Sequence, residues 1–231
     1  MTSTVLVTGA TGTLGQAVVS AFVRRGERLV LVARDAAALE RAFGTDSADR
    51  LCLAVDLLDA QATEDAVAAV VRKLGRVDVL CNLAGGFRMG EAVHETTDAT
   101  LDALFDVNVR TLVHAARAVV PGMLAQGAGR IVNVAAASGL RGTAHMGAYT
   151  ASKSAVIRLT EAMAAELRER NINVNCVLPS VIDTPENRAA MPDADPSRWV
   201  DAADLAEVIV FLTSDAARAV HGATLPVTGL S

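Results

Sequence analysis

Short runs of apolar residues alternate with longer segments of helical periodicity along the whole chain of 231 residues. The short runs are nearly continuous in Val, Leu and Ile, which is typical of strands that are covered on both faces. They occupy seven segments: Thr4–Thr8, Arg28–Ala33, Leu51–Val55, Val77–Asn82, Arg130–Val134, Asn173–Leu178 and Ala223–Val227. The predicted helices are Leu14–Arg25, Ala60–Lys73, Leu101–Gln126, Ala148–Arg170 and Ala202–Ser214. This alternation predicts βαβ units and therefore a parallel sheet.

The composition argues against several classes of function. A net charge of −5 without a block of basic residues disfavours nucleic acid or an anionic membrane as a partner. The three cysteines, Cys52, Cys81 and Cys176, lie far apart and lack metal-ligand spacing. We therefore expect free thiols, no metal site and a reducing, cytoplasmic location. The N-terminus lacks the basic segment of a signal peptide, and no apolar stretch has transmembrane length.

The first predicted strand runs directly into the sequence T-G-A-T-G-T-L-G, residues 8–15, and then into a predicted helix. Glycines in such a turn let the backbone approach a pyrophosphate, and the helix N-terminus offers free N–H groups and a partial positive charge. A glycine-rich turn also occurs where the chain only needs a tight bend. Its place between a strand and a helix at the start of a βαβ series favours a dinucleotide site.

The end of the second predicted strand bears on which dinucleotide is bound. An acidic residue there hydrogen-bonds the 2′-hydroxyl of NAD, but this chain has Arg34 in the deciding place. Because a guanidinium suits a 2′-phosphate, we expect NADP(H), and Asp35 one residue later leaves NAD(H) open. Asp56, after the third strand, is a candidate for contact with the adenine amino group or, on spacing alone, a helix-capping or loop acid.

Tyr149 and Lys153 stand four residues apart in Y-T-A-S-K, so a helix places a phenol and an ammonium on one face. A neighbouring cation favours the phenolate and is expected to lower the pKa of Tyr149. The pair is a candidate general acid/base if a cofactor site lies beside it. A surface tyrosine packed beside a lysine is the alternative interpretation, although Tyr149 is the only tyrosine of the chain.

Taken together, these motifs resemble the short-chain dehydrogenase/reductase family over essentially the whole chain. The resemblance also rests on Asp56-Leu57, N-L-A-G at 82–85, Asn108, R-I-V-N-V at 130–134 and the segment from Pro179 to Thr184. It implies one domain over residues 1–231, an α/β Rossmann-type, doubly wound, seven-stranded parallel sheet with helices on both faces, in a homotetramer or dimer. Residues of about 183–200 are expected to form a loop with a short helix that acts as a substrate lid.

The resemblance implies roles for individual residues. Tyr149 would be the catalytic acid/base, Lys153 would lower its pKa and bond the nicotinamide ribose, and Asn108 would anchor a water that relays protons to Lys153. The residues implied in cofactor binding are Gly9, Thr11, Gly12, Thr13, Leu14, Gly15, Arg34, Asp56, Leu57, Asn82, Ala84, Gly85, Tyr149, Lys153, Pro179, Ile182 and Thr184. The implied activity is NAD(P)(H)-dependent transfer of hydride to or from a small carbonyl or alcohol substrate.

The family's catalytic serine, which lies thirteen residues before the tyrosine, is replaced here by Ala136. Loss of one such hydrogen-bond donor commonly costs about 10²–10³ in rate. Either Ser138, Thr143 or His145 takes its place, or the substrate does not need the donor. His145 is otherwise an exposed loop residue. Trp199 in the lid is a candidate substrate contact or an apolar anchor of the lid.

The missing serine leaves further functions open. The dihydropteridine reductases of the family look similar in lacking it and in the segment Asp183–Trp199, and a quinonoid dihydropterin is reduced at a conjugated imine where little oxyanion develops. Arg34 counts against that match. A dinucleotide-binding regulator without catalysis is the alternative of another class, which the intact Tyr149 and Lys153 disfavour. Gly12 suggests sugar-nucleotide epimerase chemistry, for which the chain is too short.

Overall fold

The computed structural model describes residues 2–231, and within them the chain alternates strands and helices from end to end. The strands are β1 (Thr4–Thr8), β2 (Arg28–Ala33), β3 (Arg50–Ala54), β4 (Val79–Asn82), β5 (Gly129–Val134), β6 (Ile172–Pro179) and β7 (Thr224–Val227). The helices are α1 (Thr13–Val23), α2 (Ala36–Phe43), α3 (Ala60–Leu74), α4 (Asp98–Phe105), α5 (Thr111–Gln126), α6 (Gly147–Leu167), α7 (Pro185–Ala190) and α8 (Ala202–Thr213).

All seven strands pair in parallel in one sheet, in the order β3-β2-β1-β4-β5-β6-β7. The predicted seven-stranded, doubly wound sheet is therefore confirmed. The winding direction reverses between β1 and β4, where Thr8 is the register partner of Asn82. A crevice opens at such a switch point, outside the carboxyl ends of the strands, and this is where open α/β sheets bind ligands.

Helices cover both faces of the sheet, as the continuous apolar strands predicted. On one face, α1 and α8 bury residues such as Phe22 and Ile209 against the strands. On the other face, α3, α5 and α6 bury residues such as Val70, Met123 and Leu167. At about 25 cal/mol per Å² of apolar surface removed from water, this double-sided burial is the main favourable term for the fold. It fixes the strand ends that carry the polar residues.

Two helices differ from the sequence-based expectation. The segment Ala36–Phe43 was not predicted to be helical, because it is short and buries Leu39 alone; Asp35 begins this helix by accepting hydrogen bonds from two backbone N–H groups. The predicted continuous helix Leu101–Gln126 is instead interrupted by a π-helical turn at Asp106–Arg110 between α4 and α5. A π turn inserts one residue into the helical repeat, which a periodicity of 3.6 does not reveal, and such turns often mark functional sites.

Candidate active site

The carboxyl ends of β1 and β4 are tied together by Thr8. Its hydroxyl accepts hydrogen bonds from the backbone N–H of Leu83 at 3.0 Å and of Ala84 at 3.2 Å. The side chain of Asn82 continues this link inward by donating to Asn133 at 2.9 Å. The side-chain oxygen of Asn82, Oδ1, is shielded from solvent and has no partner among the described residues. The crevice is therefore held rigidly by polar contacts at its floor.

The glycine-rich turn packs too closely for side chains at two positions. Gly9 has φ of +64°, and a Cβ placed there would lie 2.9 Å from the N atom of Ala84. A Cβ at Gly15 would lie 2.3 Å from the carbonyl oxygen of Gly9. Gly12 begins α1 without any side-chain cap, so the N–H groups of the first helical turn stay available. This uncapped, close-packed turn fits a pyrophosphate.

The acids and the arginine near the ends of β2 and β3 differ in what they contact. Arg34 is exposed and has no hydrogen bond or ion pair to another described residue. Asp35 caps α2 through hydrogen bonds from Ala37 N at 2.8 Å and Ala38 N at 3.2 Å. Asp56 accepts a hydrogen bond from Leu58 N at 3.0 Å, and the cap of α3 is Asp59 instead.

The π turn aims Asn108 into the protein, where every polar atom of its side chain is hydrogen-bonded. Oδ1 accepts from Gly86 N at 2.9 Å, and Nδ2 donates to Gly86 O at 3.1 Å and to Ser152 Oγ at 3.0 Å. Ser152 is fully buried and donates in turn to the carbonyl of Tyr149 at 2.8 Å. Asn108 is thereby connected to the helical turn that carries Tyr149.

Lys153 lies on the same helix and is only 6% exposed. Its Nζ donates to the carbonyl of Val134 at 3.1 Å, and burial lowers the pKa of its ammonium to about 8. A Cβ at Gly85 would stand 2.9 Å from Asn108 Oδ1 and 3.2 Å from Lys153 Nζ. The absent side chain of Gly85 therefore leaves room for both the amide of Asn108 and the ammonium of Lys153 beside the N-L-A-G segment.

The expected effect of Lys153 on Tyr149 is not present in this structure. Burial raises the pKa of Tyr149 to about 12, and the ammonium of Lys153 is directed to Val134 O instead of the phenol. The prediction of a lowered Tyr149 pKa is therefore wrong for the protein alone. The Tyr149 ring also packs edge-on against the ring of Phe87, with centroids 4.8 Å apart and an interplanar angle of 85°, which adds to its desolvation.

The position of the missing serine is apolar. Ala136 is buried at the end of β5, and Ala135 beside it is buried as well. Ser138 is half-buried on a 3₁₀ turn, whereas Thr143 and His145 are exposed in the following loop. His145 has φ of +60°, and its carbonyl accepts a hydrogen bond from Gly90 N at 2.8 Å. No side chain of these three has a hydrogen bond to a described residue.

The segment after β6 is anchored at both ends. Pro179 closes β6, Thr184 caps α7 by accepting from Asn187 N at 3.1 Å, and Ile182 pairs with Val200. Trp199 is half-buried at the end of a 3₁₀ turn. The predicted loop with a short helix is thus present.

Several residues of the site were missed from the sequence. Ser152 is one, because serine inside a helix gave no signal until its partner Asn108 was located. Phe87 and the cluster formed by Arg88, Glu91 and Thr100 are others, since they belong to an irregular loop without periodicity. Within residues 2–231, the structure has neither a helix long and apolar enough to span a bilayer nor a group of three or more metal-ligating side chains.

Comparisons with known proteins cover nearly the whole chain. The family model described as short chain dehydrogenase matches residues 3–195. The 2-(R)-hydroxypropyl-CoM dehydrogenase of Xanthobacter autotrophicus is 34% identical over 99% of this chain and 98% of its own. The galactitol 2-dehydrogenase (L-tagatose-forming) of Cereibacter sphaeroides is 38% identical, over 96% and 92%. Among solved structures, an NAD⁺-bound xylitol dehydrogenase is 28% identical, with a TM-score of 0.89 over 98% of both chains.

Proposed function

The chain belongs to the short-chain dehydrogenase family, and from this premise we propose that it is an NAD(P)(H)-dependent oxidoreductase acting on a small carbonyl or alcohol substrate. In this proposal Tyr149 is the acid/base without the family's usual serine at position 136, and Ser138, His145 and Trp199 are the candidate substrate contacts. The observation that carries the proposal is the hydrogen-bond chain from buried Asn108 through Ser152 to the turn of Tyr149, with the buried ammonium of Lys153 beside the same Gly85. A surface tyrosine beside a lysine would not need such a network.

The cofactor site proposed here follows the carboxyl edge of the sheet. The glycine turn with its uncapped helix suits the pyrophosphate, and the nicotinamide supplies the hydride chemistry when bound. The residues proposed to hold the cofactor are Gly9, Thr11, Gly12, Thr13, Leu14, Gly15, Arg34, Asp56, Leu57, Asn82, Ala84, Gly85, Tyr149, Lys153, Pro179, Ile182 and Thr184. The free guanidinium of Arg34 and the engaged carboxylate of Asp35 favour NADP(H) over NAD(H).

The proton steps follow from the burial of the two titratable groups. With its pKa raised, Tyr149 keeps its proton at neutral pH and can donate it from Oη to a carbonyl oxygen during reduction. The ammonium of Lys153, with a pKa near 8, can return a proton in the physiological range. We propose that Asn108 fixes the N-L-A-G segment and the turn of α6 that carries Tyr149. A water that Asn108 anchors and that relays protons to Lys153 stays a prediction from the family resemblance.

The test is turnover by the purified protein of a panel of ketones, aldehydes and secondary alcohols, followed by absorbance of NADPH or NADH. We expect turnover with at least one member and a lower KM for NADPH than for NADH. The rival proposal, a regulator that binds a dinucleotide without catalysis, would be supported by calorimetric binding of NADPH without turnover of any panel member. The substrate lid at 183–200, the homo-oligomer and the cytoplasmic location remain predictions of this proposal.

A second candidate function is the reduction of a quinonoid dihydropterin, and the apolar surroundings of Ala136 favour it. A conjugated imine develops little oxyanion, so the absent hydroxyl costs such a substrate less than it costs a ketone. Assay of quinonoid dihydropterin beside simple ketones separates the two. Good ketone turnover without pterin turnover would end the second candidate.

A further inference from the structure

A small cleft borders the start of α6, the helix that carries Tyr149, on the side of the loop between β4 and α4. One wall is formed by Arg88, Glu91 and Thr100, and the other by His145 and the residues up to Ala148. Both walls continue into the candidate active site. Ala148 directly precedes Tyr149, and Arg88 directly follows Phe87, whose ring packs against Tyr149. The hydrogen bond from Gly90 N to the carbonyl of His145 holds the two loops together.

The first wall contains a polar network centred on the hydroxyl of Thr100. That hydroxyl donates to Glu91 Oε1 at 3.1 Å and accepts from Arg88 Nη1 at 3.2 Å. Thr97, which caps α4, adds a contact of 3.1 Å to the same hydroxyl. Thr100 has a single hydroxyl proton, so its donor capacity is used up by Glu91. Thr100 therefore holds one oxygen of the Glu91 carboxylate, Oε1, and has no proton left to donate to the other.

The second carboxylate oxygen of Glu91 has no partner. Oε2 is shielded from solvent and lacks a hydrogen bond to any described residue, and the guanidinium of Arg88 donates to Thr100 instead of Glu91. A shielded, unpaired carboxylate oxygen is costly, because it has lost its hydration without gaining a donor. Arg88 is exposed and keeps further N–H groups free. The cleft therefore offers one shielded acceptor without a partner beside donors that are open to solvent.

We propose that this cleft is a subsite for a hydroxyl group of the substrate, at a carbon remote from the reacting one. A hydroxyl both donates and accepts, so it can give its proton to Glu91 Oε2 and accept from the guanidinium of Arg88. Arg88 and Met89, which line the cleft beside Glu91, are both exposed, and in this proposal their movement opens Oε2 to the substrate. The inference rests on the proposed function and narrows its substrates to hydroxylated ketones and the corresponding polyols.

The test compares ketones that differ by a single hydroxyl: pentan-2-one with 5-hydroxypentan-2-one, and butanone with 4-hydroxybutan-2-one. For the wild type, we expect kcat/KM to be at least about tenfold higher for the hydroxylated member of one pair, since a site built for a hydroxyl rejects the analogue that lacks it. In Glu91→Ala this ratio should fall close to one. Glu95→Ala, an exposed acid on the same loop, should keep the wild-type ratio.

Equal ratios in the wild type and in Glu91→Ala would overturn the subsite and leave the carboxylate with a bound water only. If Glu91→Ala does not fold, Arg88→Met is the second variant, because Arg88 is exposed, and an unchanged ratio there would overturn the proposal in the same way. Absence of all turnover would count against the proposed function. In that case calorimetric titration of the same ketone pairs decides the subsite, and equal affinities within both pairs would refute it.

Discussion

The two flanks of Tyr149 are built in opposite ways. On the flank of Lys153 and Asn108, the amide and the ammonium are buried and hydrogen-bonded, and Ser152 joins the amide of Asn108 to the Tyr149 turn. On the other flank, the end of β5 presents Ala136 and its neighbours, which offer no side-chain donor. A buried polar network is costly unless it is satisfied, and in the proposed function this first flank serves proton transfer. In the same proposal, the second flank gives the substrate oxygen no donor from position 136.

The largest gain in rate is expected from making the second flank resemble that of the family. Ala136→Ser restores a hydroxyl that can stabilise charge on a carbonyl oxygen, and we expect kcat for a ketone substrate to rise by up to about 10². Steady-state kinetics with NADPH measure the change, and Ala137→Ser is the neighbouring control. For a quinonoid substrate the same substitution should change kcat little. A fall in ketone turnover would show that this flank is adapted to an apolar group instead.

The next prediction concerns a substitution on the flank of Lys153 and Asn108. Ser152→Ala leaves one N–H of Asn108 buried without a partner, and we expect the free energy of unfolding to fall by about 1–3 kcal/mol. Turnover should fall with it, and the alkaline limb of the pH–rate profile should shift, because Asn108 and the Tyr149 turn lose their connection. Urea unfolding and kinetics against pH measure both. Ser154→Ala on the same helix is the control, and equal behaviour of the two variants would contradict the role of Ser152.

The smallest expected effect is a dependence of stability on pH that comes from Lys153. Its pKa is lowered to about 8 in the folded protein, so between pH 8 and its ordinary pKa of 10.5 the unfolded chain binds more protons. Stability contributed by this group must therefore rise with pH in that range, on the order of 1 kcal/mol between pH 8 and 9. Above pH 9, Cys81 and Cys176, whose pKa values burial raises to about 12 and 11, act in the opposite direction.

Urea unfolding of the wild type and of Lys153→Met at pH 8.0, 8.5 and 9.0 isolates this contribution. The wild type should gain stability across the interval relative to the variant. Parallel curves for the two proteins would mean that Lys153 has an ordinary pKa in the folded state, and the buried flank would then be more hydrated than its hydrogen bonds indicate.

The sequence predicted the sheet well because burial on both faces produces apolar runs that are hard to mistake. The helix Ala36–Phe43 escaped prediction since it has little apolar periodicity, and the π turn at Asp106–Arg110 was hidden inside a segment that reads as one long helix. The Asp35 cap of the first is a local signal, but it is weak without apolar periodicity behind it. The π turn depends on the long-range hydrogen bonds of Asn108 to Gly86 and Ser152, which local patterns do not report.

For the candidate site, the motif spacing predicted which residues share one edge of the sheet. It did not predict the direction in which the pKa of Tyr149 is shifted. The proximity of Tyr149 and Lys153 on one helix suggested a lowered phenol pKa, and burial of both side chains produced the opposite direction. The orphaned carboxylate oxygen of Glu91 is likewise a property of packing in an irregular loop, and no periodic pattern marks it.

The most direct test of the account is Tyr149→Phe, which removes one hydroxyl and keeps the ring that packs against Phe87. If Tyr149 is the acid/base, kcat falls by at least about 10², the lower bound for acid/base catalysis, while the Kd for NADPH measured by calorimetry stays within a factor of about three. Turnover equal to that of the wild type, with cofactor still bound, would contradict the role of Tyr149 and with it the proposed mechanism.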